Sequence, residues 1–518
     1  MWVFFSARRR LLSRRIGNLK LEPTPGRGRP WRLNYGRGRT LLLAAIVFVC
    51  GVASFAQAGS AQTGTIPGAG APSQSPSGSQ GTNPYAGSVP AKLVPGVLPI
   101  SLLDAIDRGL AQNLGALLSD ANTELARGQR WEQLSALLPH VTAAPFVDWS
   151  KINLAEEGLG SLKIPGASLP SSVTFSYFDA RANVTQSVFN WQSISNARAA
   201  GQNVKSSEYS YKDARDLVVL VVGLTYLQAI ADQARIETAG AQVKTAQAVY
   251  DQASAQANAG TSAPIDALRT KVELQTRQQQ LIQAVNDFAI AKLNLARAIG
   301  LAPGQEFELT DKSPYQPLEG MTVEAAIERA YSSRSDYQAA MAEERAAEFS
   351  RQAAVAGYFP SLNFNADYGI AGAHPSTETS VSDVRGTLNI PIFEGGSVHG
   401  DILQADARLK QSREQLENLR AQIDADVRTA LLNLQSSSDL VEVARSNVDL
   451  AEQTLTQSRD RFSAGVADSV EVVQSEEAVA SAHEQYIDSL YSDDSAKLSL
   501  VRALGMAEEG VKEYFKGQ

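Results

Sequence analysis

Four histidines, one cysteine and two carboxylates placed after glycine turns are the residues of this chain that could do chemistry. His140, His374, His399 and His483 are scattered, with neither HExxH nor HxH spacing, so each reads as a surface or turn residue rather than a metal ligand. Cys50 lies inside an apolar run from Leu41 to Phe55. Cleavage beyond that run leaves no cysteine, which excludes disulfides, thiol catalysis and cysteine-ligated metal. No glycine-rich phosphate loop is present, so the chain cannot hydrolyse nucleotide and any energy must come from a partner. The sequence therefore shows no catalytic constellation and implies neither cofactor nor metal. What remains is a matched pair of acids: Asp266 follows Gly260 by six residues, and Glu471 follows Gly465 by six. Near helix N-termini such carboxylates are favoured by the helix dipole.

The elements that carry this pair are written twice. Ala105-Ile106-Asp107-Arg108 returns as Ala326-Ile327-Glu328-Arg329, and Pro139 returns as Pro360, both 221 residues later. Val188-Phe189-Asn190 returns as Ile392-Phe393-Glu394 after 204 residues, and the AKLNLARAIG element at 291–300 returns as AKLSLVRALG at 496–505 after 205. The shorter offset places an extra loop between Pro139 and Phe189. Repeats of this length, with the same order of elements, point to a pseudosymmetric body.

Each copy mixes two patterns. In the second copy Leu362, Phe364, Ala366, Tyr368 and Ile370 alternate with polar residues, and Val384, Gly386, Leu388, Ile390 and Ile392 alternate after a polar turn. Period two puts one set on each face of a strand. The first copy repeats this through Val141, Ala143, Val147 and Trp149, broken by Pro145, and through Phe178, Ala180, Ala182 and Val184. Strands of about 10 residues span a bilayer, apolar toward lipid and polar toward a lumen. A soluble amphipathic hairpin would show the same alternation, and the helices decide between the two. No proline occurs between Trp191 and Ala263 or after Pro391. A continuous helix from about Gln192 to Asn258 would be ~100 Å long, a length without use in a globular domain. Val427, Ala430, Leu434, Ser437, Val441, Ala444, Val448, Ala451, Leu455, Ser458 and Phe462 step by three and four, as do Ile236, Ala239, Val243, Ala246, Tyr250, Ala253 and Ala257. These are heptad seams. Each long helix ends at a small-residue turn, Ala259-Gly260-Thr261 or Ala464-Gly465-Val466, and a return helix begins at Pro264 or near Asp468.

Two strands per copy give four per chain, too few to close a barrel, and lipid does not tolerate open strand edges. Three chains sharing one barrel would supply twelve. The expected fold is mainly α, with a transmembrane β-hairpin in each of two internal repeats and, from three chains, a 12-stranded β-barrel.

The expected organisation runs as follows. Residues 1–58 form a secretory signal with an arginine-rich lead and a small-x-small site at Ala56-Gln57-Ala58. Residues 59–97 form a disordered Gly/Ser/Pro-rich leader. The first repeat covers 98–302, a linker 303–321 and the second repeat 322–510. Removing residues 1–58 takes away 11 of 47 basic and 1 of 55 acidic residues and leaves 36 against 54, a net of −18. That balance argues against nucleic acid as a partner.

The repeat, the signal, the strand hairpins and the glycine-tipped helical hairpins resemble the TolC family of outer-membrane efflux proteins over about residues 98–510. The resemblance implies a homotrimer in the outer membrane of a Gram-negative type bacterium, its trimeric 12-stranded β-barrel continuing into a periplasmic α-helical barrel. It implies a periplasmic adaptor and an inner-membrane pump as partners, in a tripartite efflux or type I secretion system. It further implies that Asp266 and Glu471 form acidic rings at a closed periplasmic entrance, where carboxylates from several chains would repel one another and favour cations. The tip residues Ala259, Gly260, Thr261, Ala464, Gly465 and Val466 are the implied adaptor contacts. The family's second acid on the later helix falls here on Gln474 and its tip arginine on Ala467, so this chain departs from the pattern at both positions. The competing class is a periplasmic coiled-coil adaptor, against which the duplicated strand hairpin argues.

Overall fold

The computed structural model describes residues 84–153, 156, 170–311, 321–374, 376 and 378–514. The signal and most of the leader lie outside the described residues. The leader's end does not: Pro84–Ala86 form a 3-10 turn, and residues 84–97 pack on the body. Val89 N–H donates to Gln112 O at 2.8 Å and Ala91 N–H to Gly300 O at 2.8 Å. The Tyr85 ring occupies the space above Gly115, where an added Cβ would stand 2.3 Å from Cδ1. The expectation of disorder up to residue 97 is thus corrected. Backbone hydrogen bonds and one tyrosine anchor a segment whose composition looks unstructured.

The elements run β1 (Leu98–Ile100), α1 (Leu102–Gln112), α2 (Leu114–Ser135), β2 (His140–Ala143), β3 (Phe146–Asn153), β4 (Ser172–Phe189), α3 (Trp191–Asn258) and α4 (Pro264–Ala298). The second set is β5 (Phe307–Leu309), α5 (Val323–Ser333), α6 (Ser335–Val355), β6 (Ser361–Gly372), β7 (Thr379–Asn389), α7 (Ser397–Ser463), α8 (Ser469–Ala503) and α9 (Ala507–Tyr514). β5, within the segment joining the copies, pairs in parallel with β1.

The repeated motifs turn out to be the two cores. Ala105 and Ile106 pack with Leu295, Ala298 and Ile299 of the first closing element. Ala326 packs with Leu500, Ala503 and Leu504 of the second. Leu295 is fully buried, so truncation to alanine would cost about 2–5 kcal/mol. α3 contains a stretch apolar and long enough to cross a membrane, but half of it is buried, with Val218, Val219, Val222 and Tyr226 in the first core.

The other five strands form one antiparallel sheet, with β2 and β3 both on β4, then β6, then β7. Rows cross the sheet in register. Val141 faces Val184, Val184 faces Ala366 and Ala366 faces Val384, an apolar row. Thr142, Asn183, Asp367 and Asp383 form the next row, a polar one. Pro145 interrupts the first strand without shifting its register. β7 stops at Asn389, so Ile390 and Ile392 lie beyond it, contrary to the alternation; Pro391 has no N–H to extend the ladder. On the polar face Arg181 donates to Asp179 Oδ1 (3.0 Å), Tyr177 OH (3.0 Å) and Asp367 Oδ2 (3.3 Å), which leaves Asp179 only 4 % exposed.

A charged joint ties the end of α8 and the start of α9 to α3. Arg502 pairs with Asp213 at 2.5 Å, and Arg215 with Glu508 at 2.9 Å. Asp216, also on α3, accepts from the Glu508 backbone. Burial raises the Asp216 carboxyl to about 6, with Arg502 pulling it down and Asp213 pushing it up. Because the folded value lies above the ordinary one, proton uptake favours the folded joint. That contribution is complete below about pH 4 and is lost as pH rises through about 6. Asp216→Asn keeps the acceptor and removes the charge. Its unfolding midpoint should exceed wild type at pH 7 and vary less between pH 4 and 7, checked by thermal unfolding of the detergent-solubilised protein.

Candidate functional site

The two helical hairpins end in the same local structure. At the end of α3, Gly260 has φ 73°, its N–H donates to Ala257 O at 3.1 Å, and Thr261 N–H reaches back to Gln256 O at 3.0 Å. At the end of α7, Gly465 has φ 72°, with N–H to Phe462 O at 3.0 Å, and Val466 N–H reaches Arg461 O at 2.9 Å. Both are left-handed caps that glycine adopts without strain. The return helices start differently. Pro264 opens α4 with no side-chain cap, whereas the Asp468 carboxylate accepts from Glu471 N–H at 3.3 Å and caps α8. Ala259, Gly260, Thr261, Ala464, Gly465 and Val466 are all exposed, Val466 to 71 %. Behind them Val249, Ala253, Leu455, Phe462, Val472 and Val479 form a small apolar cluster, so the exposed turns sit on a packed base.

Asp266 and Glu471 occupy the first turns of α4 and α8. They find separate partners. Ser469 Oγ donates to Asp266 Oδ1 at 2.7 Å and links the two return helices across the repeat. Arg269 lies 3.7 Å from the same oxygen. Glu471 pairs with Arg461 Nε at 3.2 Å. Position 467, where the resemblance implied an arginine, is alanine, and the guanidinium beside Glu471 is that of Arg461, from the last turns of the preceding helix. Gln474 is exposed.

Below this level lie charges that the sequence reading did not single out. Glu476 is 5 % exposed and 3.3 Å from Arg459. Burial pushes its carboxyl up while Arg459 pulls it down, and Glu273 and Arg277 of α4 act on it in opposite senses. Arg277 is itself 5 % exposed, held by Glu273 at 2.6 Å and Gln280 at 2.9 Å. The four histidines stay apart, and His483 pairs with Glu452 at 3.0 Å.

A sheet with apolar and polar faces, continued by helices of 68 and 67 residues, defines a channel-forming protein rather than a compact soluble domain. The sequence profile of the outer membrane efflux protein family matches residues 107–301 and 326–506. The chain belongs to that family. It is 23 % identical over 401 residues to the outer membrane protein TolC of Escherichia coli, an alignment covering 70 % of this chain and 78 % of the relative. It is 26 % identical over 388 residues to the pyoverdine export outer membrane protein OpmQ of Pseudomonas putida, covering 71 % and 78 %. The fold superposes on the Campylobacter jejuni CmeC outer membrane channel with a TM-score of 0.69 at 15 % identity, over 78 % of this chain and 86 % of that one. The protein is an outer-membrane channel that extends into the periplasm.

Proposed function

We propose that three copies of this chain close head to tail into one exit duct, a conduit without catalysis of its own. The carrying observation is that the sheet and the helices leave the same two flanks open. β7 and β2/β3 are the sheet's edges. α7 follows β7, and α2 precedes β2. On one flank α7 exposes Leu432 (70 %), Leu440 (55 %), Val443 (58 %) and Leu450 (58 %). On the other, α2 exposes Leu118 (50 %), Leu125 (62 %) and Trp131 (68 %), and α4 exposes Val272 (63 %), Ile282 (70 %) and Leu293 (70 %). Unpaired edges and apolar helix seams that coincide fit a heterologous ring. Three chains of four strand positions supply an even number of strands, as bacterial barrels use.

In this duct the Asp266 and Glu471 carboxylates ring the periplasmic entrance, and the exposed tips receive a periplasmic adaptor that links the duct to an inner-membrane pump. Adaptor binding opens the tips, and cargo then diffuses through the lumen. Membrane fractionation with an unboiled gel tests the assembly: a heat-modifiable trimer in the outer membrane is expected, and a soluble monomer would overturn it. Cysteines placed at Thr261 and Val466 test the docking. They should cross-link to the adaptor in cells, whereas a cysteine at Leu403, far along α7 from the tip, should not. Equal cross-linking at all three would remove the tips' assigned role.

A further inference from the structure

We infer that Arg130 and Arg198 form a binding site for the headgroup of an anionic phospholipid in the periplasmic leaflet of the outer membrane. The inference rests on the sheet lying in that membrane. Trp191 is the first residue of α3, separated from β4 only by the N-cap Asn190, and is half-buried at the junction where strands give way to helices. Tryptophan at such a boundary favours the headgroup level. The Arg198 guanidinium stacks over its ring, 5.4 Å from the centroid. Seven residues of helix place Arg198 about 10 Å below Trp191. The headgroup zone extends roughly 5–8 Å beyond the hydrocarbon, and an arginine can reach back toward it.

The second guanidinium comes from another helix. Arg130, near the end of α2, lies across Gly201 of α3, with Nε 3.9 Å from where a Cβ on that glycine would stand. Gly201 is three residues after Arg198, so the two positions neighbour each other on the helix surface. Both arginines are exposed, and among the described residues neither has a carboxylate within ion-pair distance. Glu124 and Glu208, on the same two helices, are both taken by Arg127, at 2.6 and 3.0 Å. Two guanidiniums free of carboxylates, one of them stacked on Trp191 at a membrane boundary, suit a phosphodiester that carries net negative charge. The chain as a whole is acidic, with 55 Asp and Glu against 47 Lys and Arg, so this is not part of a general basic surface. Lys205 and Lys212 continue the same face of α3 but stand about 21 and 31 Å below Trp191, beyond headgroup reach.

The test is native mass spectrometry of the full-length protein, released from vesicles with equimolar phosphatidylglycerol and phosphatidylcholine. Wild type should retain phosphatidylglycerol preferentially. Arg130→Gln with Arg198→Gln should lower that preference roughly tenfold or more. Lys205→Gln with Lys212→Gln should leave it unchanged, and Arg130→Lys with Arg198→Lys should keep most of it, which separates loss of charge from loss of fold. An undiminished preference in the double glutamine variant would overturn the site. So would an equal loss in the lysine pair, which would mean bulk electrostatics, or displacement of the lipid by inorganic phosphate at millimolar concentration, which would mean a free-anion site. Vesicle flotation separates the two levels of failure. Wild type that does not float contradicts the placement of the sheet in lipid; wild type that floats without headgroup preference contradicts only this inference.

Discussion

If Asp266 and Glu471 ring the entrance as proposed, alanine at both should lower the ratio of cation to anion permeability by about three- to tenfold in planar bilayers, because each ring would lose its carboxylates. The structure makes this expectation more specific than sequence position alone. Glu471 is paired with Arg461 at 3.2 Å, so removing the acid also leaves a cation unopposed at the entrance. Asp266 is held by Ser469 at 2.7 Å, so its removal also loosens the contact between the two return helices and should raise the closed-state conductance. Arg461→Ala provides the opposite sign: the ring keeps its acids and loses a cation, so cation preference should rise. Unchanged conductance and selectivity in the double alanine variant would strip both acids of the assigned role. Equal shifts in the same direction for Arg461→Ala and the double variant would mean that geometry, not charge, governs the entrance.

A single charge on either open flank should abolish assembly. Ile282 on α4 and Leu432 on α7 are each 70 % exposed in the isolated protomer. In a closed ring each substitution recurs at three interfaces, and burying an unpaired carboxylate costs several kcal/mol each time. Ile282→Glu and Leu432→Glu should therefore move the protein from trimer to monomer on an unboiled gel. Helical content by circular dichroism should be retained, because each protomer keeps its own cores around Leu295 and Leu500. A variant that stays trimeric at wild-type stability would place the interface elsewhere.

Much of the architecture was legible because it rests on periodicity. Every member of the seam from Val427 to Phe462 is buried or half-buried, and so is every member of the seam from Ile236 to Ala257. Up to Asn389 the alternation in the strands matches the cross-strand register, including the interruption at Pro145. The sequence repeat marked the cores because the same small and aliphatic residues must fill the same space in each copy. The entrance was less legible. Arg461 meets Glu471 only because the turn at Gly465 reverses the chain, a relation that neither helical nor strand spacing encodes. The buried Glu476–Arg459 pair reads in sequence as ordinary helix-surface charge, since its burial comes from a neighbouring helix. Composition misplaced the start of the ordered body by about a dozen residues, because Tyr85 and a few backbone hydrogen bonds outweigh a polar, glycine-rich context.

The most direct test of the account is the mass of the detergent-solubilised protein, measured by native mass spectrometry or light scattering corrected for bound detergent. The ring requires one dominant species at three times the mass of the processed chain, dissociating to single chains only on heating or in the flank variants. A stable, folded single chain in mild detergent, with β7 and β2/β3 protected from hydrogen exchange, would contradict it.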